Sequence, residues 1–216
     1  KISATVLRQH DGSRFDLADL TRGGFAPVDL KAARFSLDEM KATGFDAAQL
    51  LKARFELSEL KRVGFAALEL KAAGKTAMEL KGGGYHLEAL VAAKFTAREL
   101  KDAGFAALNM RPHFNARAMR IAVYPVKELL GAGYPVTDLK EAGSSAEDLK
   151  VAGASAVVMK KAGFGTAALH GAEFTVEQLK SALCTAKELK DLGETATELK
   201  EGGFPIQELD QAGFTI

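Results

Sequence analysis

A chain of 216 residues with 47% hydrophobic and 26% charged residues has the composition of a folded protein, not of a disordered one. Its 29 basic and 28 acidic residues leave a net charge of +1, so no global field draws it to nucleic acid or to an anionic membrane. No apolar run is long enough to span a bilayer, and the single cysteine, Cys184, excludes an internal disulfide framework.

Residues 1–14 lack the pattern that fills the rest of the chain and read as an N-terminal cap or extension. The chain starts at Lys1 and not at Met, which leaves a removed leader open. From Phe15 an aromatic recurs every ten residues, through Phe25, Phe35, Phe45, Phe55, Phe65, Tyr85, Phe95 and Phe105. Residues 15–110 are the first run of repeats. At residues 111–113 one residue is missing and Pro112 interrupts the unit, which predicts either a kink or a deletion absorbed by a loop. Residues 114–216 resume the series at Phe114, Tyr124, Tyr134, Phe164, Phe174, Phe204 and Phe214. A fixed short period across a chain means a repeat array, in which each unit buries its face against its neighbours.

With the aromatic as position zero, 20 units can be aligned. Position five is Leu or Met in all 20, position four is acidic in 13, position six is Lys or Arg in 14, and position nine is Gly in 13. These preferences spell a helix of seven or eight residues. Thr96 with Glu99, and Thr185 with Glu188, read as capping boxes, and the aromatic with the following Leu as a hydrophobic staple. Gly at position nine suits the left-handed residue that ends a helix. Pro27, Pro125, Pro135 and Pro205 fall where a helix start tolerates a missing N–H. The expected fold is an all-α solenoid of about 20 short helices, stabilised by stacking because such helices are unstable alone. At roughly 100° per residue, positions one, two, five, eight and nine are expected to share the buried face. Acids at position four should then meet bases at position six of adjacent helices, as in Glu59 with Lys71 or Glu69 with Lys61. The alternative is a pentapeptide-type β-helix, because Phe and Leu alternate every five residues. Against it, the place two before each central residue holds bulky or charged residues such as Asp38, Met78, Glu88 and Arg98.

No constellation for catalysis stands out. His10, His86, His113 and His170 make no metal-ligand spacing, and Cys184 sits at an anchor position as a packing residue. Gly82, Gly83 and Gly84 lack the flanking residues of a phosphate loop. Bases and acids are interleaved, so no nucleic-acid stripe is visible. No enzyme activity, cofactor or metal is expected.

The unit Phe95-Thr96-Ala97-Arg98-Glu99-Leu100-Lys101-Asp102-Ala103-Gly104 resembles the F-T-A-x-E-L-K-x-A-G decapeptide tandem repeats of algal and other protist proteins. The resemblance covers Phe15 to Ile216 and implies an interaction scaffold without chemistry of its own. Two readings follow: a non-enzymatic scaffold that binds other proteins, or a linker subunit held in a large assembly. Both suit a soluble intracellular protein, in an organelle if a leader preceded Lys1.

Two sets of residues are candidates for contact. Positions three and seven should point outward and be polar, yet Leu68, Met78 and Leu108 occupy position three and Ala72, Gly82 and Ala92 position seven. Stacking would gather several into an exposed apolar strip, a contact surface, unless a bend buries them. The anchor lacks an aromatic at Lys75, Ser144, Ala154, Cys184 and Glu194. The core is looser there, or another molecule fills the gap at Ser144–Ala154 or at Cys184–Glu194.

Overall fold

The computed structural model describes residues 3–9 and 16–215; Phe15 and half of the expected N-terminal cap lie outside them. Among the described residues there is no strand, which removes the β-helix alternative. The helices are α1 (Ala4–Gln9), α2 (Leu17–Arg22), α3 (Pro27–Ala32), α4 (Leu37–Ala42), α5 (Ala47–Lys52), α6 (Leu57–Arg62), α7 (Ala67–Ala72), α8 (Ala77–Gly82), α9 (Leu87–Ala92), α10 (Ala97–Asp102) and α11 (Ala107–Met110). They continue with α12 (Ala116–Ile121), α13 (Val126–Gly131), α14 (Val136–Glu141), α15 (Ala146–Val151), α16 (Ala156–Lys161), α17 (Thr166–Gly171), α18 (Val176–Ser181), α19 (Ala186–Asp191), α20 (Ala196–Glu201) and α21 (Ile206–Gln211). The chain forms two compact helical-repeat units, Lys1–Phe105 and Ala106–Ile216.

Each helix has six residues, apart from α11 with four, and so is shorter than the sequence suggests. Both ends are cut by specific backbone states. At the start, Thr96 is extended (φ −73, ψ 160), its hydroxyl accepts from Glu99 N–H at 3.2 Å, and its own N–H donates to the Glu99 carboxylate at 2.7 Å. Thr76 with Glu79, Thr185 with Glu188 and Thr195 with Glu198 repeat this box. Pro27 is the first helical residue, while Pro125, Pro135 and Pro205 are caps. At the other end, Phe25 N–H donates to the Leu20 carbonyl at 3.1 Å and Gly24 N–H to that of Thr21 at 3.0 Å. This double closure is a Schellman motif, with position nine left-handed and the aromatic packed back on the last turn. Because position one is a cap and position nine a turn residue, helical periodicity does not reach them. Both are exposed, contrary to the expected wheel, and the buried face is positions zero, two, five and eight. Leu30, Leu50, Leu100, Leu149 and their equivalents at position five are fully buried.

Helices pack mainly on the next but one, with further contact between consecutive helices such as α7 with α8 and α16 with α17. In the first unit α3, α5, α7 and α9 make one stack, and α8 packs on α10; in the second, α12, α14, α16 and α18 make another. At Gly83 and Gly202 position eight lies against position two of the unit two earlier. A Cβ on Gly83 would stand 2.5 Å from Leu57 Cβ, and one on Gly202 would stand 2.6 Å from Val176 Cβ. At these two places the facing side chain leaves no room for a Cβ. Elsewhere position eight is mostly alanine, and Thr43, Val63 and Leu192 are also accommodated.

The missing residue at 111–113 is absorbed in the turn. Phe114 N–H donates to the Met110 carbonyl at 3.1 Å, four residues back where other anchors reach five, and Arg111 keeps helical angles (φ −54, ψ −40). No left-handed residue occurs there.

Candidate interaction sites

The lysine at position six has a role that helical-wheel reasoning did not find. Lys31 Nζ donates to the Arg54 carbonyl at 2.7 Å and lies 4.0 Å from the centroid of the Phe55 ring. Lys71 donates to the Lys94 carbonyl at 2.6 Å and lies 4.2 Å over Phe95. Lys41, Lys61, Lys81, Lys140, Lys150, Lys180 and Lys190 repeat the arrangement. Each spans 24 residues to the ring and two helices of one stack. The last carbonyls of a short helix have no internal partner and carry the negative end of its dipole. The ring presents its negative face to the same ammonium. One cation therefore satisfies a helix end and clamps the next anchor.

This geometry corrects the expected charge pairing. Lys61 and Lys71 are on carbonyls, while Glu59 and Glu69 accept from the N–H groups of Glu56 and Ala66 at 2.8 and 2.7 Å. Acid and base approach instead across 28 residues, as in Lys160 with Glu188 at 3.7 Å and Arg120 with Asp148 at 3.9 Å.

Where the ring is missing, the lysine 24 residues earlier is usually missing too. Lys75 stands opposite Leu51, Ala154 opposite Leu130, Ser144 opposite Arg120 and Glu194 opposite His170. At the last, His170 Nε2 and Glu194 Oε1 lie 2.8 Å apart, a polar pair in the slot of a cation and a ring. Arg120 Nε and Ser144 Oγ are both buried and, among the described residues, have no hydrogen-bond partner. Cys184 breaks the rule, since Lys160 is kept. That lysine turns to Thr166 Oγ1 at 2.7 Å. Phe45 breaks it in the other direction, opposite Thr21.

The ring-less anchors differ in shape. Ser144, Ala154 and Cys184 are buried, and Glu194 and Lys75 partly so. Grooves of about 540 Å³ beside Lys75 and about 420 Å³ beside Cys184 are lined from equivalent positions. The first has Met78, Phe95 and Asp102 in its walls, the second Lys187, Phe204 and Gln211.

All six residues of the candidate strip are exposed, with Leu68, Met78 and Leu108 at 57%, 60% and 64%. They do not line one stack. Arg62 meets Asp38 at 3.2 Å, so position seven faces position three two units earlier. The same offset sets Leu68 on α7 opposite Ala92 on α9, with Ala72 in the same stack. Met78 and Gly82 are on α8, and Met78 and Asp102 face each other across the groove. Leu108, on α11, belongs to the second unit.

Titration is perturbed mainly at the caps. The Lys75 ammonium and the Thr76 N–H and hydroxyl hold Glu79 at about 2. Glu99, Glu188 and Glu198 are lowered first by the N–H groups of Thr96, Thr185 and Thr195. Burial raises Tyr85 and Tyr134, whose hydroxyls donate to the Phe65 and Phe114 carbonyls at 2.6 and 2.7 Å. Among the described residues no group of His, Cys, Asp and Glu could hold a metal ion, and no helix is long and apolar enough to cross a membrane.

Searches among curated proteins and among solved structures match nothing. The profile of the decapeptide repeat region matches four times, over residues 2–77, 64–113, 112–174 and 155–216. Matched from end to end and built of ten-residue helical units, the chain belongs to the decapeptide repeat region family.

Proposed function

We propose that the protein is a non-enzymatic scaffold whose repeats present surface to other proteins. One observation carries this: Met78, 60% exposed, lines the groove that opens where the first unit lacks its ring at Lys75. A large apolar side chain at the mouth of a groove is a feature of contact sites. The side chains that recur with the period all serve caps, core or clamps, which leaves no group set aside for chemistry. The test is co-purification from the native source with tagged wild type and with Leu68→Glu, Met78→Glu. The double variant should lose a protein that wild type retains, with helical signal and melting temperature within error of wild type. Unfolding of the variant would place these residues in the core and remove the surface.

A second reading, a linker subunit held permanently in an assembly, is favoured by the spread of exposed apolar side chains. Val151 and Leu183 of the second unit are 83% and 84% exposed, far from any one patch in the sequence. Insolubility of the isolated chain, relieved by co-expressed partners, would select this reading. A well-behaved monomer would select the first.

A further inference from the structure

The left-handed turn residues of the first unit are sorted by stack. The turns that end α2, α4, α6, α8 and α10 carry Gly24, Gly44, Gly64, Gly84 and Gly104. Those that end α3, α5 and α9 carry Arg34, Arg54 and Lys94, at φ 61, 59 and 60. The turn after α7 keeps Gly74, and Lys75 follows it. A side chain is strained at positive φ and glycine is not. The glycines of the alternate turns show that the repeat accepts glycine, so the fold does not demand the three bases.

Arg34, Arg54 and Lys94 are exposed, and among the described residues none has a carboxylate partner. Because α3, α5, α7 and α9 stack, their final turns follow one another along one edge, about 8–10 Å per helix. Lys31 on the Arg54 carbonyl and Lys71 on the Lys94 carbonyl add charge to the same edge. The acids of the following helices, Glu39, Glu59, Glu79 and Glu99, fold back on the N–H groups of their own caps. Glu56, next but one to Arg54, lowers the excess at that turn.

We propose that this edge docks an acidic face of a partner protein whose carboxylates recur at the stacking distance. It rests on the scaffold reading in needing a protein partner. A nucleic acid fits less well. Duplex phosphates fall about every 1.7 Å of axis, much denser than these cations, and the capped carboxylates between them repel a continuous polyanion. The rings that stack on single-stranded bases elsewhere are buried here at Phe35, Phe55 and Phe95.

The test uses the full chain with a twenty-residue glutamate-rich peptide and, separately, a single-stranded thymidine oligonucleotide. Arg34→Gly, Arg54→Gly, Lys94→Gly relieves backbone strain, so its melting temperature should not fall. It should weaken peptide binding about tenfold, as expected for a few exposed ion pairs. The reference variant Arg117→Gln, Lys127→Gln, Lys161→Gln removes the same charge elsewhere and should stay within about twofold. Equal losses in both variants, no peptide binding, or tighter binding of the oligonucleotide would each overturn the proposal. A native partner that co-purifies equally with wild type and the glycine variant would sink the edge and leave the scaffold standing. Failure of any protein to co-purify would sink the scaffold itself.

Discussion

The two units use the same repeat with different strictness. In the first, Lys75 is the one ring-less anchor among the described residues. In the second there are four: Ser144, Ala154, Cys184 and Glu194. Those four are spaced so that each has a ring 20 residues before and after it, as Tyr124 and Phe164 flank Ser144 and Phe174 and Phe214 flank Glu194. Twenty residues is the step along a stack, so no stack of the second unit contains two adjacent gaps. The position-five Leu or Met, in contrast, is never replaced in either unit. The helix axis core is thus obligatory and the ring is negotiable, provided its neighbours in the stack keep theirs. The lysine clamp follows the ring at four of the five gaps, with Lys160 kept opposite Cys184 and turned to Thr166.

The sharpest way to break this contrast is to cut the obligatory residue in both settings. Leu100 lies between Phe95 and Phe105, and Leu149 between Ser144 and Ala154; both are fully buried. Truncating a buried leucine costs about 2–5 kcal/mol, more where well-packed neighbours cannot collapse into the cavity. Leu100→Ala should fall at the upper end and Leu149→Ala at the lower, read by urea unfolding with amide exchange to assign each loss to its unit. Equal losses would show that the rings contribute nothing to how tightly the leucine is held.

Restoring a ring should separate gaps that are open from gaps that have closed. Cys184 borders a groove and still has Lys160 at the clamp spacing, so Cys184→Phe should gain about 1–2 kcal/mol. Ser144 Oγ is sealed from solvent against its neighbours, so Ser144→Phe should lose about 1–3 kcal/mol by overpacking. Thermal melts of the two variants check this. A loss at Cys184 would mean the second unit has closed around all its gaps.

Much of this was legible in the sequence because it is local. The capping boxes at Thr96 and Thr185, the left-handed glycines and the prolines at helix starts each involve residues within one unit. What was not legible is set by the stack. Pairing of Glu59 with Lys71 assumed that consecutive helices present these side chains to each other, whereas the lysines reach carbonyls two units on, and acid and base approach across three units, as in Lys160 with Glu188. The signal was present as an offset of 24: lysines at position six accompany rings 24 residues on and are replaced opposite four of the five gaps. Leu68 and Met78 looked like one strip for the same reason, being ten residues apart and so on helices of alternate stacks. Exposure of position nine was hidden because a helical wheel was carried past the residue that ends the helix.

Smaller effects should appear at the left-handed turns. Arg54→Gly and Leu183→Gly each relieve a positive φ at an exposed side chain and should gain about 0.5 kcal/mol, after the extra freedom glycine has when unfolded. Gly44→Ala, with nothing within 4 Å of the added Cβ, should lose about 1 kcal/mol through φ alone. Denaturant midpoints read all three. If the glycine variants lose stability, the side chains make contacts that outweigh the strain, and the first unit's basic edge is a structural feature.

The smallest expected effect concerns the first unit's one gap, where Lys75 replaces the ring and bonds Glu79 at 2.8 Å. Glu79 is held at about 2, first by Lys75 and then by the Thr76 cap, against about 4.3 in an unfolded chain. A depressed carboxylate stabilises the folded state above its unfolded value, and the contribution disappears as pH falls through its folded value. The window therefore runs from about pH 4.3 down to about 2. Both side chains are substantially exposed, so the pair is worth about 0–1 kcal/mol. Glu79→Gln should cost that much at pH 7 and nothing at pH 2, in denaturant titrations run at each pH. Glu188 and Glu198 of the second unit are lowered first by their threonine caps, so any stability they add is likewise lost as pH falls. A Glu79→Gln curve parallel to wild type down to pH 2 would show that Lys75 fills the ring's place by packing alone.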